Sequence, residues 1–153
     1  MLLFASSVVL LAGVASFGFS LSLDNEQAID REAVKNAVLD YVEAIYQVEP
    51  ERIEKSVHPE LAKVGYWYND GSTDYSELIM SYQQLYDLAA SWNKSGRVPH
   101  DSRKEIEIFD VLDQTASAKL TATWGIDFLH LAKTDGTWKI RNIAWQRHPP
   151  GSN

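Results

Sequence analysis

The carboxyl-terminal stretch from Ile126 to Ile140, IDFLHLAKTDGTWKI, decides the fold of this chain. At its centre the dipeptide Asp135-Gly136 separates two runs rich in apolar residues, 126–133 and 137–147. An Asp-Gly pair in this setting is a strong signal for a tight β-hairpin, because the two-residue turn requires positive φ at both positions. The sequence therefore predicts two antiparallel strands joined at Asp135-Gly136.

The segment before the hairpin continues the β pattern. Residues 115–124 alternate apolar and polar side chains, which is the period of a strand that buries one face. The apolar members are Ala116, Ala118, Leu120, Ala122 and Trp124. The last part of the chain is therefore predicted to form an antiparallel meander.

The first half of the chain has helical periodicity instead. Residues 25–47 carry apolar side chains three and four positions apart, which predicts a long amphipathic helix. Pro50 suits the first position of a second, short helix, since its missing N–H would have no partner there. His58-Pro59 is predicted to end that helix, because the residue before a proline is disfavoured in the α region.

A third helix is predicted over residues 75–93, after a strand over 61–68. Asp74 and Glu77 have the spacing of a capping box for it. The predicted order of elements is ααβαβββ, with helices first and strands last. This order indicates an α+β protein and argues against a parallel α/β fold.

Residues 1–23 carry no charged side chain, and the first charge is Asp24. Their apolar run has the length of a signal-peptide core, although no Lys or Arg precedes it. We expect a signal peptide or an N-terminal anchor at 1–23, followed by one domain over 24–150. The protein is thus expected to be exported, periplasmic or secreted, and to contact a membrane only through an uncleaved leader.

Composition excludes several classes of function. The chain has a formal net charge of −7, which repels phosphate backbones and excludes nucleic acid as a partner. It has no cysteine, so disulfides and thiolate chemistry are excluded. The four histidines show neither an HxH nor an HExxH spacing, and no glycine-rich phosphate loop occurs. We therefore predict no metal site and no cofactor.

Three features together resemble the nuclear transport factor 2-like superfamily. They are the long first helix with Tyr41, the segment Val57-His58-Pro59-Glu60, and the hairpin Asp127-Phe128-Leu129-His130-Leu131 with Asp135-Gly136-Thr137-Trp138-Lys139-Ile140. The chain is most similar to the branch named "putative lumazine-binding", over residues 28–147. The resemblance implies a conical barrel in which a strongly curved antiparallel sheet wraps three helices around a cavity. It also implies a homodimer, but it leaves function open, because relatives include isomerases, dehydratases, cyclases and ligand binders.

Two residues are candidates for acid–base chemistry. His58 is expected where this fold opens its cavity, and imidazole titrates near neutral pH; the alternative is a histidine that caps the end of a helix. Asp127 lies in a predicted strand, where an inward carboxylate in apolar surroundings suits a general base. The alternative for Asp127 is a surface acid paired with Lys139 or Arg141. Both faces of its strand are largely apolar, so the pattern leaves its direction open.

Aromatic residues are the candidates for ligand binding. They are Tyr41, Tyr66, Trp67, Trp124 and Trp145. Aromatic walls suit a small apolar or aromatic molecule, whereas ordinary core or interface packing is the alternative. Three functions remain open: an exported small-molecule-binding or accessory domain, an isomerase, dehydratase or cyclase that uses Asp127 or His58 as general base, and a dimeric protein-interaction module.

Overall fold

The computed structural model describes residues 13–151 and, within them, the side chains of residues 25–151. The helices are α1 (Gly13–Gln47), α2 (Glu51–Ser56) and α3 (Tyr82–Ala89). The strands are β1 (Val57–Trp67), β2 (Ser76–Met80), β3 (Lys104–Val111), β4 (Thr115–Ala122), β5 (Gly125–Thr134) and β6 (Thr137–Arg147).

All six strands form one curved sheet in the order β2-β1-β6-β5-β4-β3. Every neighbouring pair is antiparallel except β1 and β6, which run parallel. Helix α1 packs against β3, β4 and β6, and α3 packs against β1. The predicted α+β fold, with three helices and a curved, mostly antiparallel sheet, is confirmed.

The hairpin at Asp135-Gly136 is confirmed as predicted. Strands β5 and β6 pair from Gly125 with Arg147 to Thr134 with Thr137. Asp135 has φ of 49° and Gly136 has φ of 75°, so both turn residues occupy the left-handed region. This is the backbone of a type I′ turn, whose twist matches that of the strands.

The core lies between α1 and the concave face of the sheet. The inward side of α1 includes Val34, Val38, Tyr41 and Val42, all fully buried. Opposite them the alternation predicted for β4 is observed, with Ala116, Ala118, Leu120 and Ala122 buried. Burial of these apolar surfaces stabilises the fold by roughly 25 cal/mol for each Å² removed from water.

The predicted third helix over 75–93 is wrong in its first part. Residues Ser76–Met80 form β2, which pairs with the end of β1, and α3 begins only at Tyr82. The capping box belongs to Ser81 and Gln84 rather than to Asp74 and Glu77. Because β2 precedes α3 and the meander contains four strands, the observed order is ααββαββββ instead of ααβαβββ.

The predicted end of the second helix at His58-Pro59 is also wrong. Helix α2 ends at Ser56, and His58 and Pro59 belong to β1. The pairing of β1 with β6 shifts register between Val57 and Ala62, which is the irregularity that lets a strand contain a proline. His58 is therefore a strand residue and does not cap a helix.

The predicted leader over residues 1–23 lies outside the residues whose side chains are described. Within residues 13–151, no helix combines the length and the apolar character that crossing a bilayer requires.

Candidate functional site

A chain of buried polar contacts crosses the interior between α1, β1 and β5. The Tyr41 hydroxyl donates to Asp127 Oδ2 at 2.9 Å and accepts from Lys63 Nζ at 2.6 Å. Tyr41 and Asp127 are fully buried, and Lys63 is only 6% exposed. The three residues are far apart in the sequence, so only the fold brings them together.

Asp127 points into the protein, and both of its carboxylate oxygens are occupied. Its second oxygen, Oδ1, accepts a hydrogen bond from Trp124 Nε1 at 3.0 Å. Burial raises the pKa of Asp127 above its ordinary value of 3.8, while the charge of Lys63 and the two hydrogen bonds oppose that rise. Asp127 therefore does not pair with Lys139 or Arg141 at the surface, which was the alternative left open by the sequence.

Lys63 is the cation of the site. Burial lowers its pKa from the ordinary value of 10.5, and the charge of Asp127 partly opposes that shift. Its Nζ lies 5.1 Å from the centroid of the Tyr41 ring and 5.7 Å from that of Trp145. These cation–π contacts stabilise the charge only in part.

Tryptophan rings pack against one side of this polar chain. Trp124 meets Tyr41 edge to face at 6.2 Å and meets Trp92 in the same way at 5.8 Å. Such edge-to-face pairs hold the rings in fixed positions, since they align the positive edge of one ring with the negative face of another. The result is a rigid aromatic wall on one side of the site.

The Trp145 indole lies against β1 at Gly65, a position where only glycine fits. A Cβ atom at Gly65 would be 1.9 Å from Trp145 Nε1, so the indole needs the bare backbone of Gly65 beneath it. Trp145 Nε1 is buried and has no hydrogen-bond acceptor among the described residues. A buried N–H without an acceptor is uncommon in folded proteins and costs free energy.

These residues line a partly open cavity of about 140 Å³, which we call the aromatic pocket. Its lining consists of Tyr41, Ile45, Lys63, Leu78, Met80, Leu88, Trp92, Trp124 and Trp145. Asp127 lies behind Tyr41 and Trp124 and does not line the pocket. The pocket is therefore mostly apolar, with the Lys63 ammonium as its charged group.

A larger depression of about 700 Å³ lies elsewhere, between the described start of α1 and the segment after β3. In its lining, Asp30 forms an ion pair with Lys133 and accepts from Trp138 Nε1. These contacts lower the pKa of Asp30, with the Lys133 hydrogen bond as the largest cause. Because its lysine already pairs with Asp30 and no aromatic side chain lines it, this depression is a weaker candidate than the aromatic pocket despite its size.

The structure separates the other sequence candidates from the aromatic pocket. His58 Nδ1 accepts from the Glu60 backbone N–H and contacts Arg141 Nη1 at 2.5 Å. Tyr66 is 42% exposed and donates to Glu77, while Trp67 is 39% exposed at the end of β1. Of the candidates predicted from sequence, Tyr41, Trp124, Trp145 and Asp127 lie together.

Sequence reasoning missed Lys63, Trp92 and Gly65. The only signal for Lys63 was a lysine inside the predicted strand 61–68, where an exposed lysine is far more common than a buried one. Among the residues with described side chains, no group of His, Asp and Glu is arranged to hold a metal ion.

The fold defines a class of protein. A protein of unknown function from Silicibacter pomeroyi, described as NTF2-like, has a TM-score of 0.62 at 16% identity, covering 79% of this chain and 98% of its own. An NTF2-like protein from Shewanella baltica has a TM-score of 0.58 at 18% identity, covering 80% and 96%. One from Novosphingobium aromaticivorans, described as having a cystatin-like fold, reaches 0.59 at 10% identity, covering 93% and 94%. At these identities the similarity concerns the fold alone, which is that of the nuclear transport factor 2-like superfamily.

A sequence comparison also identifies the family within that superfamily. The family model described as "Putative lumazine-binding" matches residues 29–146, which is most of the chain. The chain therefore belongs to this family. No curated protein matches the chain.

Proposed function

We propose that this protein binds a small, flat and largely apolar molecule in the aromatic pocket. The observation that carries the proposal is the partly open cavity of about 140 Å³ between Tyr41, Trp92, Trp124 and Trp145. Aromatic walls with few polar groups are typical of small-molecule sites, in which the rings provide contact area and the polar groups fix orientation.

The size of the pocket limits what it can hold. An apolar cavity of about 150 Å³ accommodates benzene, whereas pockets for drug-sized ligands are about 300–1,000 Å³. A cavity of about 140 Å³ therefore fits a compound with one aromatic ring and a short substituent. A multi-ring ligand would extend out of the pocket or require it to widen, for example by movement of Leu78 and Met80 at the edge strand β2.

Catalysis by Asp127 is the second candidate, and one observation favours it: Tyr41 and Asp127 share a hydrogen bond, and burial raises the pKa of Asp127. A general base, however, must reach the proton that it removes. Both Asp127 oxygens accept hydrogen bonds, and Asp127 does not line the pocket. This arrangement favours binding over proton abstraction by Asp127.

Toluene is a suitable first probe, because it matches the size and apolar character of the pocket. Binding can be followed by ligand-observed NMR and by the fluorescence of the three pocket tryptophans. Leu88→Phe adds a ring at the pocket lining and is expected to weaken toluene binding at least about tenfold by filling the cavity.

Leu112→Phe is the matched control, since Leu112 is 61% exposed and does not line the aromatic pocket. It is expected to leave toluene binding unchanged. Equal toluene binding by the wild type and Leu88→Phe would place the ligand elsewhere and contradict the proposal.

We further propose that the protein is exported, on the basis of the uncharged segment 1–23. Expression of the full chain in a bacterial host, followed by mass measurement of the protein in each fraction, tests this. The expected product is an extracytoplasmic protein that lacks about the first 20 residues. A full-length product confined to the cytoplasm would contradict export.

A further inference from the structure

The most unusual group in the aromatic pocket is the Lys63 ammonium. It has three N–H donors, and a single hydrogen bond to the Tyr41 hydroxyl is found for them among the described residues. No carboxylate of the described residues lies within ion-pair distance of Nζ. A charge buried in this way costs several kcal/mol unless a partner compensates it.

Of the four other partly buried lysines, Lys139 donates to the Glu54 backbone carbonyl and the other three pair with a carboxylate. Each of these three is 25–28% exposed and contacts its carboxylate at 2.6–2.8 Å. These pairs are Lys104 with Glu43, Lys119 with Glu107, and Lys133 with Asp30. Lys63 is more deeply buried than all four of these lysines and, unlike the three paired ones, has no direct carboxylate contact.

Asp127 compensates the Lys63 charge only in part, because it acts across the Tyr41 hydroxyl and does not contact Nζ. The Tyr41 oxygen lies between Lys63 Nζ and Asp127 Oδ2, and the Asp127 oxygens already accept from Tyr41 and Trp124. Lys63 lines the pocket, so its remaining donors are within reach of a group bound there. Trp145 also lines the pocket, and its Nε1 is a donor without an acceptor in the described part of the chain.

We propose that the ligand of the aromatic pocket is a single-ring aromatic carboxylic acid, whose carboxylate binds Lys63 Nζ. This inference rests on the proposed function, because it names the chemical class of ligand for the same pocket. A carboxylate accepts hydrogen bonds without donating any, so it complements a site whose unfilled groups are donors. The charge-assisted N–H···O contact is about twice as strong as a neutral one, and the ring fills the space between the tryptophans.

Three probes of equal ring size test the proposal: benzoate, benzamide and toluene. Their affinities for the full-length wild-type protein are measured by calorimetry and ligand-observed NMR at pH 7. Benzoate is expected to bind at least about tenfold more tightly than benzamide or toluene, because only benzoate supplies an anion to Lys63.

Lys63→Met removes the ammonium and keeps an unbranched side chain of similar length. This variant is expected to lose the preference for benzoate while still binding toluene. Lys119→Met is the matched control, since it removes an amine that pairs with Glu107 outside the pocket. It is expected to keep the wild-type order of affinities.

The outcomes separate the two proposals. Equal binding of benzoate and benzamide by the wild type would overturn the carboxylate inference and leave the pocket proposal standing. Absence of binding for all three probes would overturn both. If Lys63→Met does not fold, as judged by circular dichroism, the wild-type comparison of benzoate with benzamide still decides the question.

Discussion

The Tyr41 hydroxyl is the residue-scale feature on which the buried site depends, since it links Lys63 on β1 to Asp127 on β5. Tyr41→Phe keeps the ring of the pocket wall and removes both hydrogen bonds. We predict that the free energy of unfolding falls by about 2–3 kcal/mol, because a buried carboxylate and a buried ammonium each lose a partner. Urea unfolding of the purified protein measures this change.

Tyr66→Phe provides the control for this prediction. The Tyr66 hydroxyl also donates to a carboxylate, that of Glu77, but it does so at the exposed surface. Its removal is expected to have little effect, since water replaces the lost partner. An equal loss of unfolding free energy in Tyr41→Phe and Tyr66→Phe would contradict the larger contribution assigned to the buried Tyr41 contacts.

Lys63 also predicts a dependence of stability on pH. Its pKa in the folded protein is lowered from the ordinary value of 10.5, which applies to the unfolded chain. Between the lowered pKa and 10.5, the unfolded chain therefore binds more protons than the folded chain. The free energy of unfolding therefore rises with pH in that window. Among the described residues, the charged and titratable groups facing Nζ are Asp127 and Tyr41.

The measurement compares the wild type with Lys63→Met by urea unfolding from pH 7 to 10. The difference in unfolding free energy between the two is expected to shift in favour of the wild type as pH rises. Tyr41, whose pKa is raised well above 10.0, stays neutral in this range and does not obscure the effect. A difference that is constant with pH would show that Lys63 keeps an ordinary pKa.

At the residue scale the sequence could name Asp127 but could not orient it. Ile126 and Phe128 beside it are as apolar as Leu129 and Leu131 two and four positions away, so alternation gave no direction. In the structure Asp127, Leu129 and Leu131 are buried, whereas Phe128 is 47% exposed. The direction is fixed by pairing with β4 and β6 and by the donors of Tyr41 and Trp124.

At the scale of the elements, the parallel pair β1 and β6 depends on Gly65 beneath the Trp145 indole. Gly65→Ala places a methyl group within the ring, so the indole or the strand must move. We predict a loss of about 1–3 kcal/mol in the free energy of unfolding, as for other overpacked sites. The tryptophan emission spectrum should change as well, because Trp145 is displaced from its buried position.

Ala62→Val tests whether β1 tolerates added volume elsewhere. Ala62 is exposed on the same strand, so a larger side chain has room, and a β-branched residue suits a strand. Its stability is expected to stay within about 0.5 kcal/mol of the wild type. A Gly65→Ala variant with wild-type stability and emission would refute the packing role assigned to Gly65.

Elements whose partners are close in sequence were predicted well, and those formed by distant pairing were not. The β5–β6 hairpin is specified by its own turn residues, Asp135 and Gly136. Strand β2, in contrast, has apolar residues that fit a helix pattern equally well. It becomes a strand because residues 76–80 pair with residues 63–67 of β1, a tertiary interaction that no local pattern reveals.

At the scale of the whole molecule, an apolar row crosses the outer face of the sheet. It consists of Ile79, Val64, Ala144 and Phe128, which occupy paired positions on four neighbouring strands. Ile79 is 73% exposed and Phe128 is 47% exposed. We predict that this row forms the interface of a homodimer, because exposed apolar patches of this kind are typical of association surfaces.

Light scattering coupled to size-exclusion chromatography measures the mass in solution. The wild type is expected to elute with twice the mass of one chain, and Phe128→Asp is expected to be monomeric, since it buries a charge at the interface. Leu112→Asp is the control, because Leu112 is exposed but lies outside the row. A monomeric wild type at all concentrations tested would contradict the dimer.

The sequence by itself determined the class of fold, the hairpin, the buried face of α1 and the alternation of β4, because these depend on periodicity and turn chemistry within short segments. Only the tertiary structure decided that Lys63, Tyr41 and Asp127 meet, that Trp145 covers Gly65, and that His58 and Tyr66 lie elsewhere. A buried polar site joins groups from strands and helices that are distant along the chain. Its geometry therefore depends on register and burial, which are properties of the folded whole.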